Sequence, residues 1–450
     1  MPGDTAWFVH DRFGLFVHWG LYALPARHEW VRTTEGLTDE EYQRYFDHFD
    51  PDRYDPVEWA SAARAAGMKY VIITAKHHDG FCLWDSKHTE FKATNTPHGQ
   101  DLLRPFVDAL RAAGLRIGLY YSLLDWHHPD FPIDAPHPLG GGQVKRLIDN
   151  VDTVITDEDV TLDTIVELPA QVQKQNEDRD IRRYAAYMRE QVRELLTGYG
   201  KIDIIWFDFS YPGPGPAGLP GKGRDDWQSE DLLALTRELQ PGIIVNNRLD
   251  LPEVPADVYT PEQVQPRRWF TVEGRRVVWE LCNTLSGSWG YHRDEASWKS
   301  PEQLIQSLVS AVACGGNLVM NVGPTGRGTF DDRAVAALDV YRDWMQLHSR
   351  AVYGCTQSEF APPQDCRFTQ NGHRLYLHVY AWPSQYLYLD GLAGKVEYAQ
   401  LLNDASEVKL LEPGRYKWLA AEEDSDTLTL ELPIRKPDVV VPVVELFLKP

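Results

Sequence analysis

The stretch IDIIWFDFS (202–210) is apolar at almost every position until it ends on Asp208. A strand with one face in water alternates polar and apolar residues. This one does not, so both faces are buried, as in a parallel sheet beneath helices. Similar runs recur along the chain: FGLFVHWG (13–20), KYVIITAKHHDGF (69–81), RIGLYYSLLDW (116–126), GIIVNNR (242–248), ADVYT (256–260), VVWELCN (277–283) and NLVMNVG (317–323). Helical patterns lie between many of them. PVEWASAARAAGM (56–68) opens on Pro, where the missing N–H costs nothing, and RRYAAYMREQVRELLTGYG (182–200) is amphipathic and closes on Gly. Further helices are expected near 101–114, 229–239, 301–313 and 331–347. Eight strands alternating with helices predict an α/β fold, a (β/α)8-like barrel. The links between strands five, six and seven are too short or too polar for full helices, so some outer helices should be missing.

Beyond about residue 350 the texture changes. RLYLHVYAW, YLYLDGL, KVEYAQLL, KWLAAEE, TLTLELP and VVVPVVELFLK alternate, with Gly, Pro, Asn and Asp between them, as an antiparallel β-sandwich does. The expected domains are a catalytic barrel over 1–348 and a C-terminal β-sandwich over 349–450. The segment 139–178, opening on glycines and dense in Asp, Thr, Val and Glu, reads as an insertion into the barrel.

Bulk properties exclude some classes of function. The 450 residues carry 66 Asp+Glu against 45 Lys+Arg, a formal charge of −21, which argues against nucleic acid or an anionic membrane as partner. No run approaches the ~18 apolar residues of a membrane span. The N-terminus MPGDTAWFVHDRFG lacks a basic region followed by an apolar run, so a cytoplasmic location is expected. The five scattered cysteines fit buried, reduced thiols better than a disulfide framework. The 15 Trp and 21 Tyr would suit stacking on sugar rings, although a large core also uses them.

In a barrel of this kind the chemistry sits at the C-terminal ends of the strands. Those places hold His18, His77, His78, Tyr121, Trp206, Asp208, Arg248, Glu262 and Glu280. Polar groups ending apolar strands are costly to bury unless paired, so their clustering calls for a reason. Asp208 is placed to attack an anomeric carbon, or else caps its loop as a structural residue. Retaining glycoside hydrolysis needs a second carboxyl about 5–5.5 Å away. Glu262, in VYTPEQ just past a strand, is the favoured acid/base, with Glu280, inside the pattern VVWELC, as the alternative. Arg248 could hold a ring hydroxyl or orient a carboxylate. Trp289, in GSWGY, could wall a sugar's methyl group or fill core. A metal-dependent hydrolase is the competing reading, but adjacent His77 and His78 are poor ligand geometry, so no metal or other cofactor is expected.

Taken in order, FGLFVHWGLYALPARHEW, AKHHDGFCLWDSKHT, LYYSLLDW, IDIIWFDF, TPEQ, LSGSWGY and NVGPTGRG resemble the α-L-fucosidases of glycoside hydrolase family 29, from about residue 7 to 348. The resemblance implies a barrel with fewer outer helices, a C-terminal β-sandwich, and retaining hydrolysis of terminal α-L-fucosides without a metal. It makes Asp208 the nucleophile and Glu262 the best match to the acid/base, with Glu280 retained as the alternative. His18, His77, His78 and a tyrosine of the YYS motif, assigned to Tyr121, become fucose-binding residues, joined by Glu29, Trp206, Arg248 and Trp289. The implied partner is a fucosylated oligosaccharide or glycoconjugate, and a homo-oligomer is compatible with the chain. A galactose-like substrate and a non-catalytic fucose-binding protein are the competing functions.

Overall fold

The computed structural model describes residues 2–142, 170–213, 215, 219–411 and 426–450. Most of the expected insertion at 139–178 and the KWLAAEE stretch lie outside these residues. Seven parallel strands form the main sheet: β1 (Phe13–Val17), β2 (Tyr70–Lys76), β3 (Arg116–Ser122), β4 (Ile204–Asp208), β5 (Ile244–Val245), β8 (Glu280–Thr284) and β9 (Asn317–Val322). Their order is β5-β4-β3-β2-β1-β9-β8.

The eighth stave is a bridging segment rather than a full strand. Parallel bridges join Asn246 to Val258, Tyr259 to Trp279 and Glu262 to Cys282, so residues 258–262 link β5 to β8. Tyr259 N donates to Val278 O at 2.9 Å, and Glu280 N to Tyr259 O at 2.8 Å. Side chains complete the closure where β5 stops. Asn246 Nδ2 donates to Phe207 O at 2.8 Å while its Oδ1 accepts Phe207 N at 3.1 Å, imitating a strand partner for β4. Asp257 accepts Gly3 N and Val245 N, each at 2.8 Å, and pairs with Arg237. Between β5 and β8 the chain forms a short hairpin of β6 (Thr271–Val272) and β7 (Arg275–Arg276), and no outer helix.

Helices Pro56–Ala65, Leu103–Ala112, Ile181–Gly198, Ser229–Leu239, Pro301–Ala313 and Asp332–His348 cover the outer face of the sheet. Their starts follow ordinary capping chemistry: Asp55 accepts Val57 N and Glu58 N ahead of Pro56, and Ser300 with Gln303 makes a capping box ahead of Pro301. The period-two alternation of each strand sorts side chains between two cores. Leu15, Val71, Leu119, Ile205 and Phe207 face the helices. Phe16, Ile72, Tyr120, Ile204, Trp206 and Val319 fill the barrel's interior. Gly14 is bare because the Tyr70 ring lies where its Cβ would be, at 2.2 Å.

Glu280 is the first residue of β8 and pairs across to Asn317, the first of β9, which puts it on the barrel floor away from the mouth. This placement corrects the alternative reading of Glu280 as acid/base: it is buried and accepts the Tyr70 hydroxyl. Strand register explains the error, since a carboxyl that begins a strand and one that ends it face opposite rims. Burial raises its pKa to about 8, against which the Tyr70 hydrogen bond acts.

The C-terminal region packs a five-stranded antiparallel sheet, β10 (Thr356–Gln357), β11 (Cys366–Asn371), β12 (Arg374–Val379), β17 (Val443–Leu448) and β14 (Val396–Leu401), against a three-stranded one, β13 (Tyr386–Leu389), β16 (Leu428–Glu431) and β15 (Lys409–Leu411). Phe368, Leu377, Leu387, Leu430 and Leu446 form the core between the sheets. All five cysteines are buried and free. Among the described residues no helix is long and apolar enough to cross a membrane.

Two outcomes are expected. Asp257→Ala strands the Arg237 guanidinium and the Val245 N–H, and should lower unfolding free energy by about 3 kcal/mol, seen as a lower urea midpoint at unchanged slope. Glu280 has a folded pKa near 8 against an ordinary value of 4.5, so the fold favours its protonated form. Its contribution is complete below pH 4.5 and is lost as pH rises through 8. Stability measured against pH should fall across that window by up to about 1.4 kcal/mol per unit, and Glu280→Gln should remove that fall.

Candidate active site at the barrel mouth

Strands β1 to β4 and the loops that follow them deliver most of the residues that meet in a pocket at one rim. Its lining includes Phe16, His18, Glu29, Trp30, His77, His78, Tyr120, Trp206, Asp208, Phe209, Glu262 and Trp289. His18 follows β1 and its backbone N–H continues the ladder to Val322 O at 3.0 Å. His77 and His78 both reach the pocket because β2 has ended at Lys76 and strand alternation no longer applies; their ring centroids are 4.0 Å apart. Glu29 arrives from the loop after β1 and accepts Trp289 N at 3.2 Å and Gly290 N at 2.8 Å, tying that loop to the one after β8.

Asp208 is the electrostatic centre. Tyr120 donates to its Oδ2 at 2.7 Å, and Arg248 Nη1 to its Oδ1 at 3.2 Å. Burial raises its pKa to about 6, with the Arg248 charge and the Tyr120 hydrogen bond acting the other way. Arg248 also donates through Nη2 to Glu262 Oε2 at 3.0 Å and through Nε to Thr260 Oγ1 at 3.1 Å. A single planar guanidinium therefore spans both carboxylates. It rests over the Trp206 ring at 4.8 Å, and Trp206 stacks on Tyr120 at 5.7 Å. Glu262 is 43% exposed where Asp208 is 14% exposed, so one carboxylate sits on the rim and the other inside.

The three histidines are held neutral. Burial depresses His18 to about 3, opposed by its hydrogen bond to Asn321, and pushes His77 and His78 well below their usual range. His18 Nδ1 donates to Asn321 Oδ1 at 2.6 Å, and His78 Nδ1 donates to Ser122 Oγ at 2.7 Å. Nδ1 of His77 is buried with no hydrogen-bond partner.

Tyr121 is not among the lining residues, which corrects the assignment of the YYS tyrosine. It points outward, donating to Gln191 Oε1 at 2.8 Å beneath the Lys76 ammonium, and its neighbour Tyr120 turns inward. The parity of the strand decides this: Tyr120 pairs with Trp206 across β3 and β4, and both face inside. Phe16, Trp30, Tyr120 and Phe209 are lining residues that the sequence reading did not single out. The position beside Glu29 could have drawn attention to Trp30, whereas telling Tyr120 from Tyr121 needs the register of β3 against β4. A larger cleft of about 760 Å³ opens on the outer wall near Leu233, Arg237 and Val254. Neither Asp208 nor Glu262 lines it; the smaller pocket is the one that brings them together. Among the described residues no group of three or more His, Cys, Asp or Glu could hold a metal ion.

Known proteins resemble the chain in sequence and fold. The family model described as alpha-L-fucosidase matches residues 4–350. Alpha-L-fucosidase isoenzyme 1 from Paenibacillus thiaminolyticus is 40% identical, with 99% of each chain covered and a TM-score of 0.84. A GH29 alpha-L-fucosidase from Bacteroides thetaiotaomicron, solved as a trapped covalent intermediate with 2-fluoro-fucosyl fluoride in a Glu-to-Gln variant, is 25% identical. That similarity covers 98% of this chain and 95% of that one, at a TM-score of 0.78. Human plasma alpha-L-fucosidase is 26% identical over 467 residues, 95% of this chain and 85% of the relative. With a family match over most of its length and 40% identity to a solved fucosidase of the same fold, the chain belongs to the α-L-fucosidase family, glycoside hydrolase family 29.

Proposed function

We propose that the protein is a retaining exo-α-L-fucosidase that removes terminal α-L-fucosyl units from oligosaccharides or glycoconjugates by double displacement. The observation that carries this reading is the Arg248 bridge, which holds Asp208 and Glu262 on one guanidinium. Asp208 attacks C1 while Glu262 gives a proton to the departing oxygen, forming a fucosyl ester and freeing the alcohol. Glu262, now ionised, takes a proton from water as it attacks C1; the ester bond breaks and fucose leaves with its configuration retained. The rim position of Glu262 suits this exchange with solvent, and the interior position of Asp208 suits a nucleophile shielded from it.

Sugar recognition follows from the neutral imidazoles. With their Nδ1–H groups held by Asn321 and Ser122, His18 and His78 each offer Nε2 as an acceptor to a ring hydroxyl, and the unpartnered Nδ1 of His77 is a buried group that a hydroxyl would satisfy. The corner formed by Phe16 and Trp289, 6.1 Å between ring centroids, is apolar and suits the C6 methyl of fucose better than the C6 hydroxymethyl of galactose.

Release of nitrophenol from 4-nitrophenyl α-L-fucoside tests the reaction. Asp208→Ala should abolish turnover. Glu262→Ala should slow disaccharide hydrolysis about 10²–10⁴-fold, slow the nitrophenyl substrate far less, and respond to added azide by forming fucosyl azide. Full activity in Asp208→Ala would sink the mechanism. The pH profile gives a second test, because Asp208 must be ionised to attack. With its pKa near 6, kcat/KM in the free enzyme should fall as pH drops through that value. Tyr120→Phe removes a hydrogen bond to the ionised form, so the acidic limb should move to higher pH, by about one unit.

A further inference from the structure

We infer that Phe209 is a platform for the leaving group, selecting fucosides whose bond is followed directly by a second ring. This rests on the fucosidase reading of the site. Phe209 comes immediately after Asp208 and has φ of 81°, a left-handed conformation that a bulky residue keeps only where its surroundings over-determine it. Those surroundings are present. Ser210 Oγ donates to Arg248 O at 2.8 Å and accepts from Trp227 Nε1 at 3.1 Å. Tyr211 N donates to Lys222 O at 2.8 Å, and its hydroxyl donates to Asp134, a fully buried carboxylate that also takes the Lys222 ammonium. Neither Ser210 nor Tyr211 is a lining residue, yet their anchors fix the turn that carries Phe209.

The turn aims one side chain. The Phe209 ring lies 5.3 Å from Trp30 and 5.1 Å from His78, among the lining residues. Of the lining aromatics, Phe16, Tyr120 and Trp206 are buried and make the floor, and Trp30, Phe209 and Trp289 are half-buried and make the rim. A sugar seated on the floor extends its aglycone past the rim. The faces of Phe209 and Trp30 then meet the apolar face of a second sugar or an aryl group by stacking.

The test compares kcat/KM for an α-L-fucosyl disaccharide with that for α-L-fucosyl fluoride, whose leaving group has no ring. Phe209→Ala keeps the Cβ, and with it the strain of the turn, and removes only the ring. It should lower the disaccharide value about tenfold more than the fluoride value, and Phe209→Tyr should keep the wild-type ratio. Equal losses on both substrates would overturn the inference, because the ring would then serve the fucosyl unit or the loop. If the Ala variant does not fold, Phe209→Leu keeps bulk without a flat face, and an unchanged ratio there overturns the inference equally. A wild type that hydrolyses neither substrate overturns the fucosidase reading and this inference with it. Wild-type turnover with a ratio insensitive to Phe209 overturns this inference alone.

Discussion

A carboxylate at the end of an apolar strand stays ionised only while a fixed cation and a fixed donor face it, and Arg248 and Tyr120 do this for Asp208. Much of the mouth is arranged around that requirement. The Arg248 guanidinium is itself buried enough to need partners on every edge, and it finds them in Asp208, Glu262 and both oxygens of Thr260. Thr260 is held in turn by Asn247, whose Oδ1 accepts its N–H at 3.0 Å. The residues that hold the cation in place are therefore those that close the barrel.

This explains why the eighth stave is irregular. A regular strand at 256–262 would spend its polar groups on neighbouring backbone. Instead, β5 stops after two residues, and Asn246, Asn247 and Asp257 supply side-chain partners to β4, Thr260 and β5. The closure is thinner in ladder hydrogen bonds, and its chain path brings Glu262 to the rim opposite Asp208, where one arginine reaches both.

Burial sets the charge state of the other polar groups. The three histidines have few charged partners and are driven neutral, and the bonds of His18 to Asn321 and of His78 to Ser122 define Nδ1 as donor and Nε2 as acceptor in those two. Glu280 meets the same low-dielectric interior at the floor without a cation and is driven toward its protonated form. Asp208 and Glu280 are both carboxyls on barrel strands; a guanidinium donates to Asp208, whereas Glu280 accepts the neutral Tyr70 hydroxyl.

The sequence by itself determined the parallel sheet, the missing outer helices between β5 and β8, and the antiparallel tail, because burial on two faces, one face or none is written in residue order. It also pointed to Asp208, since a lone carboxyl ending IIWF has few structural excuses. Three things were decided only by the tertiary structure. Strand parity turned Tyr120 inward and Tyr121 outward, and two identical neighbours cannot be told apart without a register. Strand direction put Glu280 on the floor and Glu262 at the mouth, which depends on where each strand begins. The left-handed turn at Phe209 came from anchors at Asp134, Lys222 and Trp227, between 13 and 75 positions away along the chain. Local sequence encodes which faces are buried, but which side chains share a pocket is fixed by contacts between segments that only folding brings together.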